Sequence, residues 1–161
     1  MLQQTTVNTV QNKLKSYLKI FPNFKSYKNI KMNILLNSWS GLGYYNRVEN
    51  LFKTIKIINS KYNSELPNNK TDLLNLPGVG EYTSSAIMAI GFNKKAFPID
   101  VNVRRLLSRL VNNSLKDREI EDIFDTALHK RMNYRNFAES MMDYSSLVCK
   151  KKIPLCGNCI F

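Results

Sequence analysis

Nothing in the 161 residues offers the ~20 uninterrupted apolar positions that a membrane-spanning helix requires, and Met1 to Thr9 lacks the basic-then-apolar layout of a secretory leader. These absences lead to the expectation of a soluble, cytoplasmic protein. Strict polar–apolar alternation over strand-length runs is scarce, which argues against a sheet core. Three cysteines, all in the last thirteen residues, are too few and too oddly numbered for a disulfide framework. No block of six like charges marks a disordered basic arm, the longest run being Lys150, Lys151 and Lys152. Internal repeats and low-complexity tracts are missing too.

What is present is the composition of a folded chain. A hydrophobic share of 43% with 22% charged residues excludes disorder for the bulk of the sequence. The length suits one domain able to bury roughly two-thirds of its unfolded surface without disulfide staples. Lys and Arg number 24 against 12 Asp and Glu, a formal charge of +12. Such a surplus draws polyanions, either nucleic acid or an anionic membrane surface. The abundance of Lys, Asn and Ile also fits compositional drift in an AT-rich genome, so charge alone does not choose a partner.

Apolar residues recur at helical spacing through most of the chain. Helices are expected at Thr5–Leu18, with Val7, Val10, Leu14 and Leu18 on one face, and at Ile30–Trp39 and Arg47–Tyr62. A polar loop follows at Asn63–Asn69. Further helices are expected at Thr71–Leu76, Thr83–Phe92, Val101–Val111, Lys116–Lys130 and Tyr134–Val148, giving an all-α architecture of roughly eight helices.

Between two of these helices stands Leu76-Pro77-Gly78-Val79-Gly80. Pro77 fixes one backbone angle, while Gly78 and Gly80 permit conformations closed to other residues. A tight turn feeding a helix start leaves N–H groups pointing outward, a ready phosphate site, although an ordinary helix–helix turn has the same sequence. Twenty residues after Gly80, Asp100 sits where the next helix begins. It can cap free N–H groups, and its charge can also stabilise a cationic transition state at a deoxyribose carbon; the two roles are compatible. Cys149, Cys156 and Cys159 follow in a C-x6-C-x2-C pattern. Clustered thiols in such a chain point to an iron–sulfur cluster or zinc, with three buried free thiols as the bland alternative. A fourth ligand would be His129, twenty residues upstream of Cys149, or solvent, or a further cysteine.

Taken in order, the Leu-Pro-Gly-Val-Gly turn, Asp100 and the cysteine spacing resemble the helix-hairpin-helix DNA glycosylases related to endonuclease III. Met1-Leu2-Gln3-Gln4-Thr5, Trp39-Ser40-Gly41-Leu42-Gly43-Tyr44-Tyr45 and Met141-Met142-Asp143 are similar to MutY-type adenine DNA glycosylases within that superfamily. The resemblance implies a glycosylase domain over residues 1–148, with the helix-hairpin-helix at about 71–92 and an incomplete iron–sulfur loop at 149–161. It implies excision of adenine opposite 8-oxoguanine or guanine in duplex DNA, by a monomer associated with the nucleoid if bacterial. Asp100 and Tyr82 would be the catalytic residues. Leu76, Pro77, Gly78, Val79, Gly80 and Arg104 would face DNA, and Gln4 and Tyr44 would insert into the base stack. Cys149, Cys156 and Cys159 would ligate a 4Fe-4S cluster. Position 82, where strand-cleaving relatives carry a nucleophilic lysine, holds Tyr82, and a phenol cannot form the imine. Lys94 and Lys95 are expected to meet phosphate or solvent.

The family's general acid, a glutamate just upstream of the Met-Leu-Gln-Gln-Thr motif, is not among these residues, nor is its fourth cluster cysteine. The expectation is therefore a fragment with weakened or no activity, since general-acid catalysis contributes ~10²–10⁴-fold. The separate domain that reads 8-oxoguanine is not seen either. Glu81, Glu139 and Asp143 have no family role that would replace the acid. Two other readings share the same residues: a thymine-mismatch glycosylase and a noncatalytic DNA-binding module.

Overall fold

The computed structural model describes residues 5–127 and 132–161, and all regular structure among them is helical. Gln4, Leu128 and His129 lie outside the described residues. Met1–Pro67 with Asn75–Gly78 forms one compact unit, and Asn68–Leu74 with Val79–Phe161 a second.

In the first unit, α1 spans Val7–Ile20, α2 Met32–Trp39 and α3 Asn46–Lys61, with a short 3-10 turn at Phe24–Tyr27. Helix α1 starts where the Thr6 hydroxyl accepts from the Thr9 amide and ends before Pro22, which cannot continue a helix. Its buried face is Val10 and Tyr17. Val7, Leu14 and Leu18 are 40% or more exposed, so the expected stripe is rotated by roughly 60° around the helix. Aromatic packing sets that rotation: Tyr17 meets Phe21 at 4.9 Å, Phe21 stacks on Tyr27 at 4.6 Å, and Trp39 meets Tyr17 edge-on. The Tyr27 hydroxyl donates to that of Tyr17 at 2.9 Å inside this cluster. Helix α3 buries Val48, Ile55 and Ile58 completely, each worth about 1.5–3 kcal/mol of transfer free energy.

In the second unit, α4 spans Lys70–Leu74, α5 Glu81–Ala86, α6 Val101–Leu110, α7 Asp117–Ala127 and α8 Tyr134–Leu147. Its core gathers Phe97, Val103, Leu107, Ile120, Phe124, Tyr134 and Ala138, with Phe97 stacked on Phe124 at 3.7 Å. The expected helix over Thr83–Phe92 begins earlier, at Glu81, and widens into a π-helical turn over Ile87–Gly91, closed by Phe92 N–H donating to Ile87 O at 3.0 Å. Arg135 of α8 satisfies the end of that turn, its guanidinium donating to Ile90 O at 2.6 Å and Gly91 O at 3.2 Å. Ala89 and Ala138, both fully buried, keep side chains small where α8 packs on the turn.

Candidate functional site

The Leu-Pro-Gly-Val-Gly segment forms the tight turn its sequence demands. Gly78 has φ +78°, a left-handed conformation that glycine enters without a Cβ penalty, and the preceding proline supplies the other half of a type II signature. Leu76 is buried and anchors the turn, whereas Gly78 and Gly80 are exposed. Two residues with no local sequence signal brace it. The Thr54 hydroxyl of α3 donates to Pro77 O at 3.0 Å, and a Cβ placed on Gly78 would stand 3.0 Å from the Asn50 Cβ.

Asp100 is the N-cap of α6. One carboxylate oxygen accepts from Asn102 N at 2.9 Å and Val103 N at 2.7 Å, and the other from the Asn102 side-chain amide at 3.0 Å. Both oxygens are thus fixed in place, and the negative charge lies at the positive end of the helix dipole. The only sequence signal for Asn102 is its position two residues after a capping aspartate. Tyr82, on the first turn of α5, is 40% exposed. Burial, and then the charge of Asp100, hold its phenol above the usual tyrosine range, so it stays a neutral hydrogen-bonding group.

Tyr44 stands on the loop between α2 and α3, 61% exposed and itself at φ +49°. The loop is shaped by Gly41 and Gly43, at φ +85° and +64°, and held by Arg47, which donates to Leu42 O at 2.8 Å and Gly43 O at 3.1 Å. The Arg47 guanidinium also lies 5.5 Å from the Tyr44 ring centre, a cation–π contact that supports an outward ring. Tyr45 is exposed beside it, so neither tyrosine is a core residue.

Basic residues expected to face DNA, phosphate or solvent are engaged with the protein. Arg104 pairs with Asp117. Lys94 donates to Asn68 O at 2.7 Å, and Lys95 pairs with Asp125 at 3.0 Å. Glu81, next to the turn, pairs with Lys70 at 2.8 Å.

At the carboxyl end, Cys149, Cys156 and Cys159 are free thiols lining one cavity of about 110 Å³ together with Leu106, Arg109 and Pro154. Cys149 is buried, and its sulfur accepts from the Arg109 guanidinium at 3.4 Å. Arg109 also donates to Lys150 O and Lys151 O, and Arg105 to Cys149 O at 2.8 Å and Ser145 O at 2.9 Å. A hydrogen bond from the Tyr144 phenol, then one from the Phe161 amide, pull the Cys159 thiol below its usual range. Three soft sulfur donors around one cavity fit a thiophilic metal or cluster by their chemistry, though among the described residues no three ligating groups converge. Sequence reasoning found the cysteines and missed the two arginines that brace their loop, forty residues away in sequence.

The profile described as "HhH-GPD superfamily base excision DNA repair protein" matches residues 1–130. An adenine DNA glycosylase from Buchnera aphidicola subsp. Baizongia pistaciae (strain Bp) is 35% identical over 162 residues, covering 99% of this chain and 46% of the relative. One from Buchnera aphidicola subsp. Schizaphis graminum (strain Sg) is 37% identical over 168 residues, covering 99% and 47%. The chain therefore spans about half the length of these relatives. Among solved structures, a thermostable thymine-DNA glycosylase superposes with a TM-score of 0.85 at 25% identity, covering 98% of this chain and 75% of that one.

Proposed function

Because the chain belongs to the HhH-GPD superfamily of base excision DNA repair proteins, we propose that it is the glycosylase domain of an adenine DNA glycosylase, hydrolysing the N-glycosidic bond of adenine opposite 8-oxoguanine or guanine in duplex DNA. The observation that carries this reading is Asp100. Its two oxygens are held by three donors at a helix start, in a chain whose adenine-glycosylase relatives match 99% of its length.

In this reading the carboxylate faces the positive charge that develops on the sugar as the bond to adenine breaks. Being already oriented, it stabilises that charge without reorganising at the moment of reaction. Neutral Tyr82 cannot attack the sugar carbon as a lysine would, so the product is an abasic site and no strand break. The turn Leu76, Pro77, Gly78, Val79 and Gly80 would hold a backbone phosphate through the main-chain amides of its glycines and Val79, Pro77 having no N–H to give. Tyr44, and Gln4 at the amino end, would take over the stacking and pairing that the target nucleotide gives up on leaving the duplex. Arg104 would add a phosphate contact only by leaving Asp117.

Residues 1–148 would form the glycosylase domain and 149–161 the cluster loop, with Cys149, Cys156 and Cys159 holding a 4Fe-4S cluster. When bound, such a cluster supplies thiolate–iron bonds that cross-link the loop. The reading includes a cytoplasmic monomer, associated with the nucleoid if bacterial.

The test is single-turnover base release from a duplex carrying A opposite 8-oxoguanine, comparing this chain with a version extended upstream to include the acidic residue that the family places there. Adenine release by the extended version supports the reading. Duplex binding by both without base release would transfer the chain to the noncatalytic class. Likeness to the thymine-DNA glycosylase structure favours one rival, and release of thymine from G·T in preference to adenine would select it.

A further inference from the structure

A turn can present an amide to phosphate only if the peptide plane carrying it is fixed, and α3 supplies the grip. Thr54 is 8% exposed, and its hydroxyl donates to the Pro77 carbonyl at 3.0 Å. The bond between Pro77 and Gly78 is trans, as are all those described, so the carbonyl and the N–H of that plane point in opposite directions. Drawing the Pro77 oxygen toward α3 therefore turns the Gly78 N–H away from it. That amide finds no acceptor among the described residues.

One helical turn before Thr54, on the same face of α3, stands Asn50. It closes the space next to Gly78: a Cβ there would lie 3.0 Å from the Asn50 Cβ and 3.1 Å from its Nδ2. The turn is held at the oxygen by Thr54 and crowded at the glycine by Asn50.

We propose that Thr54 and Asn50 are positioning residues, which aim the unpaired Gly78 amide outward so that it can donate to a DNA phosphate. The inference rests on the phosphate-binding reading of the turn and adds the residues that set its direction. It is independent of which base is excised, because an undamaged duplex offers the same phosphates.

The experiment measures binding of the full chain to a short undamaged duplex between about 50 and about 200 mM salt. Thr54→Val keeps the shape and removes the hydroxyl. It is expected to weaken binding about two- to tenfold, the worth of one hydrogen bond. An amide is neutral, so the loss should be the same at every salt concentration, leaving the slope of log affinity against log salt unchanged. Thr54→Ser restores the hydroxyl and should bind as the unaltered chain does. A merely structural role would instead lower the melting temperature with no change in affinity of the folded fraction. Should Thr54→Val not fold, the pair Thr54→Ser and Thr54→Ala, differing by one hydroxyl, makes the same comparison. Gly78→Ala is the companion variant. If it loses affinity while Thr54→Val does not, the positioning role is wrong and the phosphate site stands. If neither loses affinity, the turn is not the phosphate site and both ideas fall.

Discussion

Replacing Asp100 separates its structural duty from its chemical one, because asparagine preserves the first and removes the second. In Asp100→Asn the remaining carbonyl oxygen can still accept from the amides of Asn102 and Val103, now at 2.9 and 2.7 Å. Asparagine caps helices about as well as aspartate. What is lost is the charge at the helix start, about 0.3–1 kcal/mol, and the side-chain bond from Asn102, whose own amide can rotate to offer its oxygen. Asp100→Ala loses the cap as well, for a total of about 1–2 kcal/mol. At about 2–4 °C per kcal/mol for a domain of this size, the alanine variant should melt about 2–8 °C lower and the asparagine variant within about 4 °C of the unaltered chain. Base release, measured on the upstream-extended protein, should follow a different order. Both variants should fall about 10²–10³-fold, since each lacks the oriented negative charge. Thermal melts and single-turnover release on the same preparations give the two orders directly. Full base release by Asp100→Asn, or activity that merely tracks melting temperature, would falsify the assignment of charge stabilisation to Asp100.

Gly78→Ala should cost about 1–3 kcal/mol by urea midpoint, from its positive φ and the crowding by Asn50, whereas Gly80→Ala, with open space around it, should stay within about 0.5 kcal/mol. Burial, and then the Tyr27 hydrogen bond, hold the Tyr17 phenol far above its ordinary range. The folded state therefore keeps a proton that the unfolded chain releases near pH 10, so that contribution to stability is complete below about pH 10 and shrinks as pH rises further. Tyr17→Phe should flatten the alkaline fall in urea midpoint. Asp117→Asn releases Arg104 from its pair and should steepen the salt dependence of duplex binding by about one contact if that arginine then reaches phosphate. Cys156 is exposed, so Cys156→Ser should leave metal-free stability within about 0.5 kcal/mol while reducing the iron retained after anaerobic reconstitution with iron and sulfide.

Where residues carry their own local instructions, the sequence was legible. The helices follow from apolar spacing, the turn from a proline beside a left-handed glycine, and the α6 start from an aspartate three residues before Val103. The misread face of α1 has a different origin. Aliphatic periodicity ranked Leu14 and Leu18 above Tyr17, but the ring of Tyr17 packs on Phe21 and Trp39 and shares a hydrogen bond with Tyr27, contacts invisible until α2 and the 3-10 turn are in place. The partners of the basic residues were hidden for a similar reason. Arg104 was expected to face DNA from the resemblance, and Lys95 to meet phosphate or solvent; each has an acidic neighbour supplied by α7. Thr54, Arg105 and Arg109 hold backbone atoms between 23 and 44 residues distant, Asn50 fills the space beside Gly78, and no spacing rule reaches that far.

The π-helical turn at Ile87–Gly91 bears on which changes of length the chain can absorb. An α-helix lengthened or shortened by one residue rotates everything beyond it by about 100° and shifts it about 1.5 Å. A π turn already carries one surplus residue, so a deletion inside it restores the regular ladder instead of breaking it. The acceptors that Arg135 now holds, at Ile90 and Gly91, would be the cost of that repair. Among the described helices this is the place where a single-residue deletion can vanish into the fold, and the guanidinium of α8 is the group that would register it.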